Sequence, residues 1–393
     1  MKKTNKWAVF FCVFIGSITI AINQFKVPPL MTSILESMSL NNAQGGMLMT
    51  AYAIAVGILI IPGAYILTKL GGKRTTLLAL FCSAVGSAVG AFAGSLPLLM
   101  VSRCIEGIGS ALIAVAMPTI VAGYFAPEER GKPMGIQAGF IPVAALITYV
   151  TAVPLQNLMS GLKGVWIVTA ILPLVMLIIC LAVVKDQQTE GAEEAPAPAE
   201  TPSVGRVLKN PMIWVLALCF FGCGVRDVAF STWTPTFFQQ NGMTAAMAGT
   251  MGGIGYLGFW IGTTLGGTLI DKKISPRKIM LISGIGLFIV SIWCFSIPMS
   301  IAAPYIILIG LFAGPIITTI YTLIPMAVQP QDTGYGMAIG NLALTLAQLG
   351  APIVSGAVLD RWGFGKNTIV VEVGAAAIIV AGLLIQKCKG ASE

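Results

Sequence analysis

The stretch Pro127-Glu128-Glu129-Arg130-Gly131-Lys132-Pro133-Met134 returns in altered form as Pro330-Gln331-Asp332-Thr333-Gly334-Tyr335-Gly336-Met337, which sets the two copies 203 residues apart (330 − 127 = 203). The same offset carries Thr68-Lys69 onto Asp271-Lys272 and brings residues 1–185 into register with 207–388. A chain that matches itself at one fixed offset is built from two copies of one unit, so the fold of the first half predicts that of the second.

Hydrophobic residues make up 56% of the chain and charged residues 10%, a balance that no water-exposed surface tolerates. Apolar runs long enough to cross a hydrocarbon core of about 30 Å are read at 7–31, 44–67, 75–94, 98–124, 132–156, 164–184, 211–238, 244–270, 277–297, 302–328, 334–359 and 367–387. The expected architecture is all-α: twelve transmembrane helices in two pseudo-symmetric six-helix bundles, at 1–185 and 207–393. The acidic, Pro/Ala-rich stretch from Asp186 to Glu200 falls in a linker at 186–206.

Lys and Arg cluster on one face of this arrangement, including Lys2, Lys3, Lys69, Lys73, Arg74, Arg130, Lys132, Lys272, Lys273, Arg277 and Lys278. Only Lys163, Arg361 and Lys366 lie on the other. Basic loops stay cytoplasmic, so both termini are expected there, in a multi-pass protein of the cell (inner or plasma) membrane. This asymmetry accounts for the net charge of +8 without any nucleic-acid partner. The start, Met1-Lys2-Lys3 and an apolar run, has the charge pattern of a signal peptide. It shows no clear cleavage site, and its repeat mate at 210–234 makes it the first span. The eight cysteines lie almost entirely within spans without C-x-x-C spacing, and read as packing residues rather than disulfides or a zinc site. With no histidine, imidazole catalysis and His metal ligation are excluded; no cofactor, metal or enzymatic activity is expected.

Gly267-Thr268-Leu269-Ile270-Asp271-Lys272, followed by Arg277-Lys278, resembles the G-x-x-x-D-[RK] loop signature of the major facilitator superfamily. The N-terminal copy from Ala64 to Arg74 keeps Lys69, Gly71, Lys73 and Arg74 but has Thr68 in place of the acid. Arg103-x-x-x-Gly107-x-Gly109 and Asp360-Arg361-Trp362-Gly363 resemble further motifs of that family. The resemblance covers the whole chain and implies a transporter whose first, fourth, seventh and tenth helices line a central cavity. It also implies that Lys69, Arg74, Asp271 and Lys272 belong to gating loops.

Inside the spans, five ionisable residues stand out: Lys26 on the first, Arg103 and Glu106 on the fourth, Arg226 and Asp227 on the seventh. A charge at a helix centre costs about 2.5–3.5 kcal/mol on insertion scales, so such residues mark solute or proton pathways by default. The offset places Arg226 at the position of Asn23, one turn from Lys26, so two cations are expected at similar depth, an arrangement that a bound anion relieves. Counted as three positive and two negative, the embedded charges leave +1, which a monoanion neutralises.

Two plainer readings stand beside this one. Lys26 could snorkel to the interface, and Arg103 with Glu106 could form a structural i,i+3 pair. Asn23, Tyr52, Trp233 and Tyr321 are candidates to complete the solute site. Glu106 and Asp227 are the candidates for coupling a proton, since burial favours the neutral carboxyl.

Asn23-Gln24-Phe25-Lys26-Val27-Pro28-Pro29 is similar to the first helix of the nitrate/nitrite and cyanate branch, and a cation on helices 1 and 7 is similar to organic-anion exchangers. The second-helix and eighth-helix arginines of nitrate carriers have no match. The sequence therefore predicts a carrier of a small anion such as a carboxylate, by proton symport or anion exchange, functional as a monomer in the lipid bilayer. Two alternatives stay open. One is a proton-driven drug or metabolite exporter, although Gly135 to Pro142 departs from the exporter pattern G-x-x-x-G-P-x-x-G-G. The other is a sensor that keeps the carrier fold without moving its ligand.

Overall fold

A computed structural model describes residues 5–125, 129, 133, 136–137, 139–159, 161–185, 203–329 and 332–385. Most of the linker, most of the first octapeptide including Arg130, Gly131 and Lys132, Pro330 and Gln331 of the second, and Gly135 lie outside the described residues. Among those described there is no strand. Helices α1 (Lys6–Phe25), α2 (Val27–Met38), α3 (Asn42–Ala91), α4 (Leu96–Tyr124), α5 (Phe140–Leu158) and α6 (Leu162–Val183) come from the first half. The short α7 (Val204–Leu208) precedes α8 (Pro211–Gln240), α9 (Ala245–Asp271), α10 (Pro276–Ser291), α11 (Ala302–Ala327), α12 (Thr333–Trp362) and α13 (Phe364–Leu384).

Helix boundaries follow local chemistry. Asn5 caps α1 by accepting from the Trp7 amide, and Asn41 with Gln44 forms a reciprocal capping box at α3. Asn210 caps α8, with Pro211 in the first turn where its missing N–H costs nothing. The 50-residue α3 holds two expected spans, broken at Gly71, whose φ of 75° is a left-handed conformation that side chains resist. The first expected span is instead divided into α1 and α2 at Lys26, because Pro28 and Pro29 cannot donate to the preceding turn.

Among the described residues, ten helical stretches are long and apolar enough, by length and composition, to cross a membrane. The two expected spans that fall short are both helical. One is the Gly- and Thr-rich α9; the other is α10, only 16 residues long before the chain loosens into turns at 292–296.

The chain divides into two compact units, Met1–Ala192 with Thr244–Gly253, and Glu193–Met243 with Ile254–Glu393. The first turns of α9 thus group with the N-terminal unit, unlike the expected boundary. Gly249 lies there against the Tyr149 carbonyl of α5, with room for no side chain. Within the N-terminal unit, α1, α4 and α6 pack through Phe10, Val13, Ile20, Leu112, Met117, Met176 and Cys180. In lipid such contacts hold helices by close packing, since apolar surface gains little by leaving the bilayer.

The offset survives in the structure. Glu129, beyond α4, pairs with Lys6 at the start of α1 (2.5 Å). Its mate Asp332, beyond α11, pairs with Arg206 just ahead of α8 (3.0 Å). The acid occupies the same position in each half, and in each it meets a cation at or just before the first long helix.

Candidate functional site

The embedded charges of the N-terminal unit meet in one cluster. Glu106 on α4 accepts from the Lys26 ammonium at 2.7 Å, from Arg103 at 2.5 Å and from the Ser87 hydroxyl at 2.6 Å. Lys26 also donates to Asn23 Oδ1 (2.9 Å), Ser87 Oγ (2.9 Å) and Thr169 Oγ1 (3.0 Å), and its Nζ lies 4.5 Å from the centre of the Trp166 ring. Asn23 holds the arrangement from behind, donating to Ser83 Oγ at 2.8 Å and to the Thr169 carbonyl at 3.3 Å. Asn23, Lys26, Arg103 and Glu106 are all fully buried.

The helix break explains where Arg103 goes. Pro28 has no N–H to close on the Gln24 carbonyl, and the chain turns at Lys26, so carbonyls of the last turn of α1 lose their helical partners. Arg103 fills them, donating to the carbonyls of Asn23 (2.5 Å) and Gln24 (3.3 Å), with its Nε 3.4 Å from the Leu48 carbonyl. Its guanidinium lies 4.6 Å from the centre of the Tyr52 ring, which is nearly buried. Gly86 makes this cluster possible: a Cβ there would come within 2.7 Å of the Glu106 backbone nitrogen and Cγ.

This corrects the expectation for Lys26. The ammonium neither snorkels to the interface nor stands ready for a solute; it is bound to a carboxylate and three neutral acceptors. The Arg103–Glu106 i,i+3 pair is real, but it is part of a three-charge network.

The C-terminal unit is different. Arg226 on α8 is 3% exposed, and its NH1 is 3.7 Å from Asp227 Oδ1, beyond hydrogen-bond length. Its Nε and NH2 are buried with no hydrogen-bond partner among the described residues. Its Cζ lies 5.1 Å from the centre of the Phe230 ring, one turn on. Asp227, one residue along the helix, has its side chain 52% exposed.

A sixth embedded ionisable residue, Glu372 on α13, is absent from the sequence expectation. Both its carboxylate oxygens are buried and have no hydrogen-bond partner among the described residues. The signal was present, since an acid stands in the expected span 367–387. At the offset of 203 its position corresponds to Thr169, one of the Lys26 acceptors. With Glu372 the embedded charges are three of each sign, not an excess of one cation.

The remaining candidates are dispersed. Trp233 is completely buried in α8, and Tyr321 on α11 is 43% exposed with its ring edge-on to Phe220 at 5.5 Å. Lys69, Arg74, Asp271 and Lys272 are exposed at helix ends or breaks, with Lys69 over the Tyr65 ring at 5.5 Å.

Comparison with known proteins follows the same lines. The sequence model described as Major Facilitator Superfamily matches residues 9–352. A probable L-galactonate transporter of Escherichia coli is 23% identical over 359 residues, spanning 84% of this chain and 77% of that one. A probable sulfoacetate transporter of Cupriavidus necator is 24% identical, over 96% and 92%. The vesicular acetylcholine transporter of Caenorhabditis elegans is 26% identical over 78% of this chain, which spans 59% of that protein's length. Among solved structures, a bacterial homolog of the human lysosomal transporter Spinster superposes with a TM-score of 0.81 at 14% identity, each chain covered completely. At that identity the likeness concerns the fold.

Proposed function

Because this chain belongs to the major facilitator superfamily and is a membrane-embedded, multi-pass transporter, we propose that it carries a small organic anion, a carboxylate foremost, by alternating access. Arg226 is the cation that receives the anion. The observation that carries this reading is the contrast in occupancy: Lys26 and Arg103 spend their donors on Glu106, hydroxyls and backbone carbonyls, whereas Arg226 keeps two buried nitrogens, Nε and NH2, without an acceptor among the described residues. An unpartnered guanidinium in a low-dielectric interior is costly unless something fills it, and its planar fork fits a carboxylate in bidentate fashion. Relatives named for galactonate, hexuronate and sulfoacetate carry this chemistry in their names.

The Lys26–Glu106–Arg103 network holds α1, α3, α4 and α6 together in this reading, with Asn23 and Tyr52 as its supports. Both termini face the cytoplasm, and the carrier has no enzymatic role. Lys69, Arg74, Asp271 and Lys272 serve as gate residues at the loop ends.

The test is a thermal-shift screen of the purified protein with galactonate, glucuronate, sulfoacetate, phosphate esters and neutral drugs, followed by counterflow of labelled solute in proteoliposomes. Stabilisation by carboxylates that disappears in Arg226→Ala supports the reading; equal stabilisation by neutral compounds overturns it. Counterflow separates a carrier from a sensor. A second reading, export of an organic cation, is favoured by the half-exposed Asp227 carboxylate and by relatives named for acetylcholine and amines. Stabilisation by acetylcholine that is lost in Asp227→Asn would select it.

A further inference from the structure

Helices α10 and α13 lie side by side and are close where α13 ends. A Cβ on Gly382 would come within 2.8 Å of the Leu281 side chain, and one on Gly284 within 3.3 Å of Ile378. Toward the start of α13 the two part, because α10 stops at Ser291 and the chain runs on in turns at 292–296. The opening between them is a groove of about 560 Å³, a volume in the range of small-molecule sites.

Glu372 stands in this groove. Two residues further on, Gly374 faces α8, where a Cβ would come within 2.6 Å of both the Gly222 carbonyl oxygen and the Arg226 amide nitrogen. Two residues turn a helix by about 200°, so Glu372 is directed away from α8 and onto the groove that it lines. Both its carboxylate oxygens are buried without a hydrogen-bond partner among the described residues. Lys366 lines the same groove but leaves the acid unpaired; it is exposed and about 9 Å nearer the start of the helix.

The walls state what such a place accepts. Phe288, Ile292, Ile369 and Val373 supply hydrocarbon, and Ser296 and Thr368 supply hydroxyls. Ile292, Ile369 and Val373 are 43%, 57% and 59% exposed, so the groove opens sideways from the unit, where a membrane protein meets lipid. Glu372 lies eight residues into α13, about 12 Å along its axis, against a hydrocarbon half-thickness of about 15 Å. A phospholipid keeps its headgroup at the surface, above that depth. An ammonium at the end of a slender hydrocarbon can descend to it, because pairing with the acid removes the cost of burying either charge alone. Its three N–H donors suit two acceptor oxygens with hydroxyls nearby.

We infer that the groove between α10 and α13 is a binding site for a lipophilic amine, which enters from the bilayer, sets its ammonium on Glu372 and lays its apolar body along Phe288, Ile292, Ile369 and Val373. The site is separate from the anion site at Arg226, and neither reading depends on the other. It is likewise distinct from Asp227, which belongs to α8.

Photolabelling of the full chain in phosphatidylcholine nanodiscs tests this, with dodecylamine carrying a diazirine in mid-chain as the probe. Label is expected on peptides from 276–297 and 364–384, displaced by excess dodecylamine but not by dodecanol or dodecyl phosphate. In Glu372→Gln it should fall at least about tenfold, as for loss of a charged hydrogen-bond partner. Undiminished labelling in folded Glu372→Gln overturns the inference, as does equal displacement by dodecanol, which would mean that the groove recognises hydrocarbon alone. Label on α8 in place of these peptides overturns it too. Suppression of the label when phosphatidylethanolamine replaces phosphatidylcholine makes an ordinary membrane lipid the occupant and also overturns it. If Glu372→Gln does not fold, Val373→Trp at an exposed position fills the groove; labelling that persists in that variant overturns the inference.

Discussion

The polar clusters of the two units occupy corresponding positions and are finished to different degrees. In the N-terminal unit Lys26 meets Glu106, Asn23, Ser87 and Thr169, and Arg103 completes the carboxylate's shell, so every charge has a close partner. In the C-terminal unit Arg226 stands at the position of Asn23, and Glu372 at that of Thr169. Neither the guanidinium Nε and NH2 nor the carboxylate oxygens have a hydrogen-bond partner among the described residues. Duplication has thus preserved the helices while the chemistry at equivalent sites diverged. A satisfied buried network specifies structure, whereas an unsatisfied one of matched charges is ready to bind.

The sharpest way to break this contrast is Glu106→Ala. It strands two buried cations and is expected to cost about 3–5 kcal/mol, the range for removing one partner of a buried ion pair. Loss of the monodisperse peak and a collapse of the thermal transition check it. Lys26→Met in the same background should recover part of the loss.

Gly374→Ala is expected to destabilise by about 1–3 kcal/mol through overpacking against Arg226. Its effect should be confined to the C-terminal unit, as read by hydrogen exchange in α8 and α13.

Arg226→Gln sharpens the comparison from the other side. It is expected to abolish stabilisation by carboxylates and weaken affinity at least about tenfold, or about 1.4 kcal/mol, while leaving the unliganded melting temperature near that of wild type. A large drop in that melting temperature would mean that Arg226, like Lys26, is structural.

The smallest effect belongs to the tie between loop and first helix. Glu129→Gln should cost about 0–1 kcal/mol, because Lys6 and Glu129 are both substantially exposed and water screens the pair. Asp332→Asn should cost more, since Asp332 is 1% exposed.

Much of this was legible from residues alone. Long apolar runs predicted the helices, and the offset aligned Glu129 with Asp332. Lys26, Arg103, Glu106 and Arg226 were identifiable because a charge inside an apolar run has few innocent explanations. What Lys26 does was not legible. Its partners Ser87, Glu106 and Thr169 lie 61 to 143 residues away, and which faces of α1, α3, α4 and α6 meet depends on a helix break at Pro28 and on the absence of a side chain at Gly86. How far Asp227 is exposed was not legible either, because adjacent residues differ by about 100° around a helix axis. Glu372 was overlooked although its span was correctly drawn.

The sequence by itself determined the membrane class, the repeat and the set of embedded charges, because hydropathy and duplication are properties of the chain in one dimension. Only the tertiary structure decided which charges neutralise one another and which are left over. That outcome depends on helix rotation and on backbone approach at Gly86 and Gly374, where a difference of one methyl group decides whether two helices can bring their charges together.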